Sequence, residues 1–147
     1  MTAARHEDVF DMLTIPIGGV HQDNVLSVWD RVEPLLARVV KPDTGFRTDD
    51  VLTQLQIGNW QLWVIGDFQG VVVTYVEVRP LEKVFFVRYI AGNYMNEWLD
   101  DWVKVQESFA KANLCKAVVF FGRRGWDKWQ RRYKDYKQIT TEYRKQL

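Results

Sequence analysis

The chain has 147 residues, of which 47% are hydrophobic and 27% are charged. This length and composition predict one folded domain and exclude a disordered, collagen-like or low-complexity chain. A single cysteine, Cys115, allows no internal disulfide, and with only two histidines no Cys/His cluster is available to bind a metal. No apolar run reaches the ~20 residues of a membrane span. We therefore expect a soluble protein of a reducing compartment that has no membrane partner.

Charge is distributed unevenly along the chain. The net charge is +1, yet residues 1–115 hold ten Lys/Arg against sixteen Asp/Glu, whereas residues 116–147 hold ten against three. The two parts therefore carry −6 and +7. Such a basic C-terminal part is typical either of a solvated basic surface or of a surface that binds nucleic acid, an acidic protein or a phosphate-bearing ligand.

The spacing of apolar residues predicts a strand, two helices and a run of three strands in the first part of the chain. We expect Gly18 and Gly19 to end the first strand. Pro34 should kink the first helix or divide it at Glu33, and Thr48 should cap the second. The predicted elements are the strand Met12–Ile17, the helices Asn24–Val40 and Thr48–Ile57, and the strands Trp60–Ile65, Val71–Val78 and Lys83–Ile90.

The rest of the chain alternates between helix and strand. The predicted elements are the helix Met95–Ala112, the strand Lys116–Phe121, the helix Trp126–Tyr133 and the strand Lys137–Arg144. Because there is no internal repeat and no linker, residues 1–147 should form a single domain, with residues 1–11 as a flexible N-terminal arm. A meander followed by βαβ units predicts an α/β fold with a mixed sheet and helices on both faces.

This succession resembles the acetyltransferase fold of the GNAT (Gcn5-related N-acetyltransferase) superfamily, from about Met12 to Leu147. Several short segments are also similar, in their common order and spacing, to small GNAT-like proteins encoded by tailed phages and prophages. These segments are Val32–Leu36, Gln61–Val64, Val72–Tyr75, Arg88–Gly92 and Phe121–Trp126. The resemblance implies a GNAT-like mixed, mainly antiparallel central sheet with helices on both faces.

In active members of that superfamily, acyl-CoA pyrophosphate is held where the fourth strand turns into the next helix, by a loop reading Arg/Gln-x-x-Gly-x-Gly/Ala. Glycines let the backbone approach the phosphates, and amides at the helix N-terminus donate to them. Ala91 and Asn93 stand here where glycines would, and Glu97, Asp100 and Asp101 would repel a diphosphate. The loop is therefore degenerate. We expect the protein to bind no cofactor or, if it is an active enzyme, to bind acetyl-CoA. The residues that would bind it are Arg88, Tyr89, Ile90, Gly92 and Asn93.

The resemblance also suggests where an acyl chain and catalytic groups would lie. The family's pantetheine arm adds to a strand edge that splays open, so close pairing through Val118 and Val119 would exclude it. Tyr133 is the nearest candidate for the family's general acid, although it is offset by two positions. A general base could be Glu77, in the strand that faces the family's acceptor site, or Asp67. Each of these residues has an equally simple interpretation as a surface or core-edge side chain.

Basic and aromatic residues interleave after Gly122. This combination is typical of single-stranded nucleic-acid and phosphate-binding surfaces, although on a helix the two sets mostly separate to opposite faces. The candidate partner-binding residues are Arg123, Arg124, Trp129 and Arg132. Nucleic acid is thus a possible partner, beside a protein of the virion or the host.

Two functions remain open on the sequence. One is a phage-type GNAT-fold protein that acts as a non-catalytic binding or virion-associated module. The other is an active acetyl-CoA-dependent N-acetyltransferase acting on a protein or small-molecule amine. Both place the protein in the host cytoplasm or the phage virion, and neither indicates the oligomeric state.

Overall fold

The computed structural model of the chain describes residues 9–120, 131–137 and 145–146. The strands are β1 Ile17–Val20, β2 Gln61–Ile65, β3 Gly70–Val78, β4 Lys83–Gly92 and β5 Ala117–Phe120, and the helices are α1 Val25–Leu36, α2 Thr48–Gln56 and α3 Met95–Ala112. Most of the predicted helix 126–133 and of the predicted strand 137–144 lies outside the described residues. Within the described part of the chain, no helix is both long and apolar enough to cross a bilayer.

The described strands form one five-stranded sheet whose spatial order follows the chain. The short connections between β2, β3 and β4 make these strands antiparallel, and β1 pairs antiparallel with β2. Helix α3 carries the chain back to the end of the sheet at which β4 begins, so β5 pairs parallel with β4. The predicted α/β class with a mixed, mainly antiparallel sheet is confirmed.

Helices cover both faces of this sheet, as predicted. Helices α1 and α2 pack on one face through residues such as Val32, Leu36 and Leu55, which meet Val71 and Val73 of β3. The other face is covered by α3, whose apolar side chains meet the remaining inward residues of the strands. This second core includes Trp63, Ile65, Val72, Phe85, Val87, Trp98, Trp102 and Val105.

The first strand lies further along the chain than its apolar pattern predicts. The prediction that Gly18 and Gly19 end it is wrong, because both pair with β2 inside β1. The predicted strand residues before Ile17 cannot join the ladder. The amides of Thr14 and Ile15 donate instead to the Asp101 carboxylate of α3, at 3.0 and 3.1 Å.

The helix boundaries near Pro34 and Thr48 also differ from the prediction. Helix α1 is continuous through Pro34 and ends two residues later, at Leu36. A proline so close to the end of a helix disturbs only the last turn, so no break forms at Glu33. Thr48 is the first residue of α2 rather than its cap. The cap position is Arg47, whose backbone N–H donates to the Asp50 carboxylate at 2.7 Å.

Candidate functional site

The stretch that matches the acetyl-CoA loop is mostly strand. Residues 88–92 belong to β4, and only Asn93 and Tyr94 separate β4 from α3. The pairing of β4 with β3 continues to the end of the strand, where Gly92 lies opposite Gly70. Three of the residues expected to wrap a pyrophosphate, Tyr89, Ile90 and Gly92, therefore lie in a hydrogen-bonded ladder.

The polar groups of Asn93 are also bound within the protein. Its backbone N–H donates to the Gln69 carbonyl at 2.8 Å, and its own carbonyl accepts the Trp98 indole N–H at 2.8 Å. The side-chain oxygen of Asn93 accepts from Arg38 at 3.0 Å. These bonds turn the chain directly from β4 into α3, and they occupy an amide that a phosphate would otherwise use.

The acidic residues of α3 do not all face this turn. Asp101 is 4% exposed and binds the segment before β1, while the Asp100 carboxylate accepts from Arg132. Glu97 is the acidic residue in the first turn of α3. The expected repulsion of a diphosphate by three carboxylates is therefore reduced to that of one.

On its other edge, β4 pairs closely with β5 over its first half, as far as the described residues extend. Phe85 lies opposite Val118 and Phe86 opposite Val119, and the described pairing ends where Val87 meets Phe120. The close pairing through these valines excludes a pantetheine arm from this part of β4. Such an arm would have to lie beyond Val87.

A β-bulge in β4 begins at that point. Tyr89 pairs with Val73 and Val87 with Thr74, so no residue of β3 lies opposite Arg88. A bulge directs neighbouring side chains to one face of a sheet. Both Arg88 and Tyr89 accordingly lie on the face covered by α1 and α2, and the Arg88 guanidinium carbon is 5.0 Å from the Tyr89 ring centroid.

An aromatic row borders Arg88 on the same face. Trp60 stacks on Tyr75 and Tyr75 on Phe86, with ring centroids 5.4 and 5.0 Å apart. Phe46 extends the row, 5.7 Å from Trp60 and 5.0 Å from the Arg88 guanidinium carbon. Sequence reasoning missed this row, because its members come from two strands and two connecting segments, and only the fold reveals that they are neighbours.

Burial changes the acidity of the two tyrosines beside Arg88. It raises the pKa of Tyr75 and that of Tyr89, and the charge of Arg88 lowers both in opposition. The hydroxyl of Tyr89 is buried and makes no hydrogen bond to any described residue. Thr44 and Arg88 are near enough to lower the Tyr89 pKa further, yet neither has hydrogen-bond geometry to it.

The structure does not bring the candidate catalytic residues together. Glu77 shares the α1/α2 face of β3 with Tyr75, but its carboxylate is bound by Arg79 at 3.1 and 3.3 Å. Tyr133 lies beside α3, in a groove of about 390 Å³ lined by Val103 and Glu107. The alternative base, Asp67, pairs with Arg31 at 2.9 Å.

The candidate partner-binding residues fall mostly outside the described residues, which include neither Arg123, Arg124 nor Trp129. Arg132 is described and binds Asp100.

Partial burial raises the pKa of the Cys115 thiol, which is opposite to the change that activates a cysteine nucleophile.

Known structures share this architecture. An aminoglycoside acetyltransferase from an uncultured soil metagenomic sample aligns with a TM-score of 0.65 and 12% identity, over 90% of this chain and 97% of that one. The ribosomal-protein-alanine N-acetyltransferase of Brucella melitensis aligns with a TM-score of 0.63 and 16% identity, over 91% and 99%. A GCN5-related N-acetyltransferase of Ralstonia eutropha gives 0.65 and 14%, over 90% and 98%.

Sequence comparison alone finds no such relatives, because no family model and no curated protein matches the chain significantly. The structural matches nevertheless cover nearly the full length of this chain and of the matched chain in each alignment. The chain therefore has the fold of the GNAT acetyltransferases.

Proposed function

We propose that this chain is a GNAT-fold binding module that has lost acetyl-CoA-dependent catalysis. The observation that supports this most directly is the turn at Asn93, whose amide donates to Gln69 and whose carbonyl accepts from Trp98. The family's loop offers its backbone amides to a pyrophosphate, but here the ladder of β3 and β4 and this turn occupy that position. The salt bridge between Glu77 and Arg79 is a second departure from a catalytic arrangement.

The proposed partner is a protein of the virion or of the host, met in the host cytoplasm or within the phage particle. This part of the proposal rests on the five short segments that are similar to phage- and prophage-encoded GNAT-like proteins. The basic residues after Lys116 support an acidic partner surface or, as the alternative, nucleic acid. Nucleic-acid binding would show an affinity that falls steeply with salt.

The second candidate function is an active N-acetyltransferase. It is favoured by the bulge at Arg88, because no residue of β3 lies opposite Arg88 and the described residues of β5 do not pair with it. An acyl-CoA arm adding beyond Val87 would meet these backbone groups. The acceptor would then be an amine on a protein or a small molecule.

Calorimetric titration with acetyl-CoA distinguishes the two functions. The binding module should give no heat and no rise in melting temperature at millimolar acetyl-CoA. Binding in the low micromolar range would overturn the proposal. A thiol-release assay should then follow, with an aminoglycoside and a peptide with an N-terminal alanine as acceptors, since acetyltransferases with these names share the fold.

A further inference from the structure

Arg88 is a partly buried arginine with no carboxylate within ion-pair distance among the described residues, whereas Arg31, Arg79 and Arg132 each pair with one. Arg31 also lies over a phenylalanine, 4.0 Å from the Phe68 ring centroid, but it pairs with Asp67 at 2.9 Å. Arg79, which is partly buried like Arg88, pairs with Glu77 at 3.1 Å. A partly buried guanidinium without a carboxylate has lost water without gaining an ionic partner.

Aromatic rings stabilise the charge of Arg88 but supply no oxygen acceptor to its N–H groups. The rings of Phe46 and Tyr89 each lie 5.0 Å from the guanidinium carbon, within the range of a cation–π interaction. A ring face does not replace the planar, two-oxygen acceptor that matches a guanidinium edge. The most complementary group for this edge is a carboxylate.

The Tyr89 hydroxyl is a second donor at the same place. Tyr89 is only 7% exposed, and its hydroxyl has no hydrogen-bond partner among the residues that the structure describes. A buried hydroxyl in that condition is costly and rare, which points to a partner that the chain itself does not supply. The bulge of β4 fixes both donors on one face of the sheet, so one ligand group can meet them together.

We propose that Arg88 and Tyr89 form a binding site for an organic carboxylate carried on an apolar group. The aromatic row of Phe46, Trp60 and Tyr75 provides the apolar wall. A phosphate fits less well, because it brings about two negative charges to a place with one cation. Asp50 also acts on Tyr89 as a negative charge, but it is exposed and engaged at the start of α2.

This inference rests on the proposed function, since it names the ligand class of the binding module. The carboxylate could belong to a small molecule or to the C-terminus of a peptide. Two matched pairs of probes separate these sources: N-acetylphenylalanine with its amide, and a short peptide ending in phenylalanine with its C-terminal amide. Both pairs are titrated into isotope-labelled protein and followed by NMR.

The acid of at least one pair should bind at least about tenfold tighter than its amide. Arg88→Gln should remove this preference, and Tyr89→Phe should weaken acid binding by about threefold or more without lowering the melting temperature. The matched control is Arg31→Gln, which removes an arginine that also lies over a phenylalanine but already has a carboxylate partner. It should leave the affinity unchanged.

Equal affinities for acid and amide, or no binding of either pair, would overturn the inference. So would an Arg88→Gln variant that keeps the preference. If Arg88→Gln does not fold, Tyr89→Phe still decides, because unchanged acid binding there contradicts the shared site. Acetyl-CoA binding would overturn the proposed function alone and would leave the carboxylate measurements to stand by themselves.

Discussion

At the scale of single residues, Asp101 joins the start of the chain to α3. One carboxylate oxygen accepts the Thr14 amide at 3.0 Å, the Thr14 hydroxyl at 2.7 Å and the Ile15 amide at 3.1 Å. Lys104 lies 3.8 Å from the other oxygen. Hydrogen bonds to a buried charged acceptor are stronger than neutral ones, and removing the acceptor leaves several donors unsatisfied at once.

Asp101→Ala should therefore lower the free energy of unfolding by about 2–4 kcal/mol. Its neighbour Asp100 is the matched control, because its side chain is 44% exposed and its partner Arg132 is 59% exposed. Asp100→Ala should cost less than about 1 kcal/mol. Urea unfolding of the two variants measures the difference, and similar losses would contradict the role given to Asp101.

At the scale of elements, two glycines allow β4 to run into α3 without a loop. A Cβ at Gly92 would lie 2.3 Å from the Gln69 carbonyl oxygen, and the φ of Gly92 is +154°. A Cβ at Gly70, its partner across the ladder, would lie 2.5 Å from the Trp98 ring. The close approach of backbone to backbone and of backbone to indole thus defines this corner of the fold.

Gly92→Ala should lower the free energy of unfolding by about 2–4 kcal/mol, because the added methyl group meets backbone rather than a flexible side chain. The control is Gly18→Ala in β1, where a Cβ would meet nothing within 4 Å. That substitution should change stability by less than about 1 kcal/mol. Equal unfolding midpoints would contradict the prediction. Loss of ligand binding in a Gly92 variant would report damage to the fold rather than a lost ligand contact.

The elements also show which parts of the structure local sequence could predict. Helix α3 has its predicted bounds, because its apolar residues keep a regular helical period. Strand β4 extends to Gly92, past its predicted end at Ile90. From sequence alone a glycine at this point indicates a turn, and only its partner across the ladder shows that it belongs to the strand. Strand β1 is shifted by hydrogen bonds to Asp101, 86 residues beyond Ile15, and no local pattern contains that information.

The candidate site, too, could be predicted from the sequence only in part. Arg88 could be named from the family resemblance, because it occupies the first position of a recognisable loop pattern. Its surroundings could not, because the bulge that turns Arg88 and Tyr89 to one face depends on how β4 pairs with β3. The hydrogen bonds that occupy Asn93 likewise depend on Gln69 and Trp98, which lie on either side of it in the chain.

At the scale of the whole molecule, one sheet separates two apolar cores, and a buried or half-buried tyrosine lies on each side of it. Tyr89 packs with the core under α1 and α2, while the Tyr136 hydroxyl bonds to Gln106 and Glu107 of α3 at 2.9 and 2.8 Å. Burial is the main cause that raises the pKa of Tyr75, Tyr89 and Tyr136, and Glu107 raises that of Tyr136 further. Alkaline pH therefore acts against both cores together.

The sign of this effect follows from proton binding. Above the ordinary tyrosine pKa of about 10, the unfolded chain loses these protons before the folded protein does, so rising pH favours unfolding. The free energy of unfolding should hold up to about pH 9 and then fall, by up to about 1.4 kcal/mol per pH unit for each such tyrosine. Urea unfolding between pH 7 and pH 11 measures this slope, and Tyr89→Phe and Tyr136→Phe should each reduce it. A free energy that stays constant up to pH 11 would mean that these hydroxyls ionise as readily in the folded protein as in the unfolded chain.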